Sequence, residues 1–156
     1  MTTPLNQAAQ ELEAIMATTP YIGGIQHTRG IERAVEGLDI LQDLCHSLAC
    51  LSGWWTDKAT GERKTLEQVN VAEKLCLIHS EISEAMEGDR KKLMDDHLPH
   101  RQMIEVELAD ALIRILDLGG FLELDITSAA IEKLAYNQRR ADHKLETRQL
   151  AGGKAY

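Results

Sequence analysis

The segment LADALIRILDL, residues 108–118, constrains the chain most. Leu108, Ala109, Ala111, Leu112, Ile113, Ile115, Leu116 and Leu118 make it apolar almost all round if it is a helix. Together with the preceding Glu107, its polar residues are Asp110, Arg114 and Asp117, at spacings of 3, 4 and 3. They draw one narrow polar stripe on a helix that otherwise reads as buried. Carboxylates on such a helix must be paired or bind a metal, and Arg114 can neutralise only one of them. Few single chains hide every side of one helix, so the pattern also predicts a homo-oligomer.

A second acidic pair, Glu81 and Glu84, lies upstream in HSEISEAMEG, with Leu77 and Ile78 flanking Glu81 on the helical wheel. Both pairs are spaced i, i+3, which places their carboxylates on one helix face with Cβ atoms about 5–6 Å apart. Four carboxylates from two helices can converge on one point. At ~4 Å, each like-charged pair repels by about 4 kcal/mol at an effective dielectric of ~20. A convergent cluster therefore needs cations, and oxygen-only ligands select hard ions such as Mg²⁺ or Mn²⁺. The plain alternative is two solvated acidic faces.

A chain of 156 residues has the length of one domain and can bury most of its apolar surface. The formal net charge of −8 argues against a nucleic-acid-binding surface, which needs a basic footprint. No apolar run approaches the roughly 20 residues of a membrane span. The N-terminus lacks the pattern of a signal peptide, so the expected location is cytoplasmic. Cys45, Cys50 and Cys76 form no C-x-x-C and read as buried, reduced thiols.

In chain order, Pro4 opens a short helix over residues 4–17. A Gly-, Pro- and Thr-rich loop follows at 18–30, with His27 and Arg29 in it. These first 30 residues are expected to be an extension outside the core, which occupies 31–156. A helix over 31–52 ends at Gly53, with Gln42 and His46 beside its apolar side. Trp54 and Trp55 follow: one of them plugs the end of a bundle, or one stacks on a base, a contact worth roughly 1–3 kcal/mol. The first acidic helix is expected over 66–92, with Lys74 two turns before Glu81 and able to reach the carboxylates or a phosphate. Pro99 is placed to start the second acidic helix, which runs to Leu118 and stops at Gly119-Gly120. Asp125 or Thr127 caps a last helix to about Asp142. On it Lys133, Asn137, Arg140 and Lys144, at spacings of 4, 3 and 4, form a cationic and amide-bearing stripe. No run has the period of a strand. The predicted fold is all-α, a bundle of four principal helices with an extra N-terminal helix.

Three motifs in this order resemble the MazG-like all-α nucleotide pyrophosphohydrolases: E-x-x-E at Glu81 and Glu84, E-x-x-D at Glu107 and Asp110, and K-x-x-x-N-x-x-R at Lys133, Asn137 and Arg140. The similarity spans about residues 36–156. The family's end often reads H-G-G-K, whereas here His143-Lys144 and Gly152-Gly153-Lys154 are separated by an insertion. The resemblance implies cleavage of a (deoxy)nucleoside triphosphate between the α and β phosphorus atoms, giving a monophosphate and pyrophosphate. It implies two or more Mg²⁺ or Mn²⁺ ions held by the four carboxylates, and assembly as a homodimer or homotetramer with sites near subunit interfaces. Lys133 and Arg140 would then steady the leaving pyrophosphate, Asn137 would suit a phosphate or sugar contact, and one of Lys144, His143 and Lys154 would contact phosphate. The base is left open. A di-iron carboxylate bundle fits poorly, because neither acidic pair is an E-x-x-H. The remaining alternative is a non-catalytic, metal-binding helical interaction protein.

Overall fold

The computed structural model describes residues 3–18 and 30–154; residues 19–29, including His27 and Arg29, lie outside it. The fold is all-α, as predicted. Its helices are α1 (Pro4–Thr18), α2 (Gly30–Leu51), α3 (Val71–Lys91), α4 (Met103–Phe121), α5 (Ile126–Arg139) and the single turn α6 (Leu145–Arg148). Short 3-10 turns lie at Leu66–Gln68 and Ala141–His143. The described residues contain no strand, only the isolated bridges Thr56–Arg63 and Met94–Gln102. None of the described helices is long and apolar enough to cross a membrane.

The chain divides into two compact units: residues up to Asp39 together with those from Asp125 onward, and Ile40–Leu124. In the first, Ala8 of α1, Ile31 of α2, and Ile131 and Ala135 of α5 form a small core, with Leu5, Ala9, Leu12 and Val35 packed against it. The N-terminal helix, expected as an extension, thus buries an apolar face against α5. An ion pair between Arg139 and Glu11 ties the same two helices. Asp125 caps α5, its Oδ1 accepting the Ser128 N–H at 2.9 Å.

The second unit is built on α3 and α4, which pack side by side as an antiparallel hairpin. Gly88 makes the hairpin possible: a Cβ there would sit 2.9 Å from the Met103 Cβ. The first acidic helix is shorter than predicted, because Asn70 interrupts it. The Asn70 side chain accepts the Glu73 N–H at 3.2 Å and starts α3 afresh after the 3-10 turn. The second acidic helix begins at Met103 rather than Pro99, and it continues through Gly119-Gly120. Gly120 serves packing instead of termination, since a Cβ on it would lie 2.6 Å from the His46 Cβ of α2.

The α4 surface also departs from expectation. Ala111, Leu116, Leu118 and Phe121 are buried, but Leu108, Leu112, Ile113 and Ile115 are exposed in the single chain. Exposed apolar residues continue on α3 (Leu75, Ile82, Met86) and on α2 (Ile40, Leu44, Leu48, Leu51). Of the three free cysteines, Cys45 is buried as expected, whereas Cys76 is exposed.

Candidate metal centre

The antiparallel pairing of α3 and α4 brings Glu81, Glu84 and Glu107 together. One oxygen from each carboxylate lies within 4.8 Å of the others. Glu81 and Glu107 are buried and Glu84 is exposed, so the cluster has a dry floor and an open rim. Burial pushes the Glu107 carboxyl up to about 7, assisted by the Glu84 charge and by a hydrogen bond and charge from Glu81. Asp110 does not join the three. Its oxygens fall outside the converging set. Burial and the Glu81 charge nonetheless raise its pKa, the Arg114 charge opposing them.

Arg114 neutralises part of the cluster: its Nε lies 2.8 Å from Glu81 Oε1. Among the described residues, Arg114 is the ion-pair partner of one of the three converging carboxylates. The donor set is all oxygen and under-neutralised, and after burial the charges of Glu84, Glu81 and Asp110 contribute to the rise in the Glu107 pKa, repulsion that added positive charge would relieve. These residues fit a hard divalent cation of the Mg²⁺ or Mn²⁺ type.

Other acidic residues nearby already have partners. Asp95, in the turn between α3 and α4, is buried, and its Oδ1 accepts the N–H groups of His97 and Leu98 at 2.9 and 2.5 Å. Its charge adds to the rise at Asp110. Sequence reading missed it; the only local signal is an Asp two and three residues before those amides, an Asx-turn spacing. Asp117, the last member of the α4 stripe, accepts the Trp55 indole N–H at 2.7 Å and pairs with His46 Nδ1 at 2.9 Å through the same oxygen. Arg63 Nη2 lies 3.1 Å from the other His46 ring nitrogen.

The tryptophans separate cleanly. Trp55 is fully buried, stacked on Phe121 with ring centroids 3.9 Å apart, while Lys74 Nζ lies 4.7 Å from the ring centroid. Trp55 is therefore an interior residue, its ring packed on Phe121 and approached by Lys74. Lys74, predicted to reach carboxylate or phosphate, is engaged on that indole. Trp54 is exposed.

The stripe predicted along the last helix is broken, because α5 ends at Arg139. Lys133 and Asn137 lie on α5, Arg140 is its C-cap, and Lys144 is the exposed N-cap of α6. Lys133 Nζ lies 4.5 Å from the Tyr136 ring centroid. Asn137 Oδ1 is buried without a hydrogen-bond donor. Arg140 is paired with Asp142. Comparison of the chain with protein-family models, with curated proteins and with solved structures found no match.

Proposed function

We propose that the protein is a divalent-metal-dependent nucleoside triphosphate pyrophosphohydrolase, with the MazG-like four-helix bundle as its architecture. The observation that carries this reading is the convergence of Glu81, Glu84 and Glu107 within 4.8 Å on two antiparallel helices. The order of the three sequence motifs supports it. Glu81, Glu84 and Glu107 would hold Mg²⁺ or Mn²⁺, with Asp110 alongside. The ion would supply charge neutralisation to the triphosphate and a more acidic water. In the metal-free chain the Glu107 carboxyl is pushed up to about 7, so a cation bound there would displace a proton from it near neutral pH. Lys133, Asn137 and Arg140 are assigned to the polyphosphate, and the unpartnered Asn137 Oδ1 is an acceptor suited to a sugar hydroxyl. The exposed apolar residues of α4, α3 and α2 are the surface a second copy would cover, in a homodimer or homotetramer.

One observation favours the alternative, a metal-binding helical protein without turnover: the Arg114–Glu81 ion pair occupies one of the ligands. Incubation with each (deoxy)nucleoside triphosphate and Mg²⁺, followed by analysis of the products, separates the two readings. The enzyme reading expects monophosphate and pyrophosphate, abolished by chelator. Diphosphate and orthophosphate, activity that survives chelator, or no turnover of any triphosphate would overturn it.

A further inference from the structure

Apart from the acidic cluster, the Ile40–Leu124 unit gathers a second group of reactive side chains around His46. Cys50 lies one turn after His46 on α2, and its Sγ is 3.5 Å from His46 Nε2. The other ring nitrogen, Nδ1, is 2.9 Å from Asp117 Oδ1. The same oxygen accepts the Trp55 indole N–H at 2.7 Å, which holds the carboxylate in place. Arg63, exposed on the loop between α2 and α3, brings Nη2 to 3.1 Å from His46 Nε2. A guanidinium can only donate, so Nε2 carries the lone pair and Nδ1 the proton that faces Asp117. A thiol, a base and a carboxylate that orients the base are thus in contact one after another, the arrangement that activates a cysteine nucleophile. Cys50 is half-buried, whereas Cys76 is exposed.

The Nε2 lone pair serves one donor at a time, and Arg63 and Cys50 both reach it. An anion that draws Arg63 away frees Nε2 for the Cys50 proton. We propose that Cys50 is a thiol–disulfide exchange site, selective for small disulfides that carry carboxylates. Arg63 pairs with a carboxylate of the incoming disulfide. His46 Nε2 takes the Cys50 proton, and the thiolate sulfur attacks the near sulfur of the disulfide. The incoming S–S bond breaks as the new S–S bond to Cys50 forms. The departing thiolate takes the proton back from His46, so the disulfide is the only oxidant required. Asp117 is a positioning residue: it fixes the tautomer and answers the imidazolium charge while it lasts. None of these groups belongs to the acidic cluster, so the site stands whether or not the chain hydrolyses triphosphates.

The test incubates the reduced full chain with glutathione disulfide, which carries carboxylates, or with cystamine, which carries amines. The reaction is quenched by alkylation, and peptide mass spectrometry follows each cysteine separately. With glutathione disulfide, Cys50 is expected to react at least about tenfold faster than the more exposed Cys76, a modest share of what a positioned base supplies. With cystamine that advantage should shrink. His46→Gln should slow Cys50 by about tenfold and leave Cys76 unchanged. Asp117→Asn should slow Cys50 in the same direction. Mere loosening of the fold would do the opposite, because it would expose the half-buried thiol and speed its reaction. Arg63→Ala should remove the preference for glutathione disulfide over cystamine. Cys76 reacting as fast as Cys50, a Cys50 rate that His46→Gln leaves unchanged or raises, or a preference that survives Arg63→Ala overturns the proposal. The comparison of Cys50 with Cys76 in the wild-type chain needs no variant, and it decides alone if circular dichroism shows that a variant does not fold.

Discussion

Two carboxylate environments share the polar stripe of α4, and they are opposites. At Asp117 one oxygen receives the Trp55 indole N–H and faces His46, so the charge is answered by neighbours that also lock the Trp55–Phe121 stack. Some three turns earlier, Glu107 faces Glu81 and Glu84 across the hairpin, and the nearby guanidinium of Arg114 is engaged by Glu81. A carboxylate that the chain itself satisfies is structural. A group of carboxylates that it leaves under-neutralised stores repulsion that a cation can relieve. Substitutions at the two ends should therefore have different signatures.

The largest effect is expected on turnover. Under the proposed function, Glu84→Gln and Glu107→Gln should each lower kcat by about three orders of magnitude, the loss of several kcal/mol of transition-state stabilisation. Their thermal unfolding should stay near wild type. Steady-state assay of monophosphate release checks this, and a variant that retains full turnover would break the contrast from the acidic side.

Trp55→Ala should cost about 3–5 kcal/mol of stability, as large aromatic truncations in cores do. Trp54→Ala, at an exposed position, should change stability by less than about 0.5 kcal/mol. Asp117→Ala should cost about 2–4 kcal/mol, because it strands the buried indole N–H and the His46 ring nitrogen together. Denaturant unfolding measures all three. A harmless Asp117→Ala would show that the satisfied end of the stripe is not structural.

A smaller effect separates members of the cluster. In metal-free protein Glu107→Gln should be neutral or stabilising, since it removes one charge from a repelling set. Glu81→Gln should gain less, because it also gives up the Arg114 pair. Equal responses of the two variants would mean that Arg114 does not discriminate between them.

The pH dependence follows from the same repulsion. The Glu107 carboxyl is raised from 4.5 to about 7 in the folded chain. Between these values the folded state holds a proton that the unfolded state has released, so this group makes the metal-free protein less stable as pH rises from 4.5 to 7. Glu107→Gln should flatten that slope. Asp142 acts in the opposite direction: Arg140 and Lys154 hold its carboxyl well below the usual carboxylate range, so its contribution is present at neutral pH and lost in strong acid.

Much of this was legible in the sequence, and the misses have physical reasons. Helical periodicity gave the all-α fold, and the two i, i+3 acidic pairs gave three of the converging carboxylates. Asp125 announced its cap. Gly119-Gly120 was misread because glycine either ends a helix or admits a neighbour, and only the approach of His46 decides between them. The break at Asn70 was hidden because apolar spacing runs on through a 3-10 turn. Asp110 lies outside the converging set, although it has the same i, i+3 spacing as the Glu81–Glu84 pair. Trp55 and Phe121 lie far apart in sequence, so nothing local marked which tryptophan was buried. Arg140 left the helical stripe because α5 ends at Arg139, and the Arg140 fork pairs with Asp142 two residues on.

The claim on which the rest depends is that Glu81, Glu84 and Glu107 form a cation site. Titration of metal-free protein with Mn²⁺, followed by electron paramagnetic resonance of the free ion, tests it without any assumption about substrate. The account predicts at least one saturable Mn²⁺ site per chain, weakened more than about tenfold by Glu84→Gln or Glu107→Gln and unchanged by Asp117→Asn. Mn²⁺ binding that is unsaturable, or that these glutamate substitutions leave untouched, would contradict it.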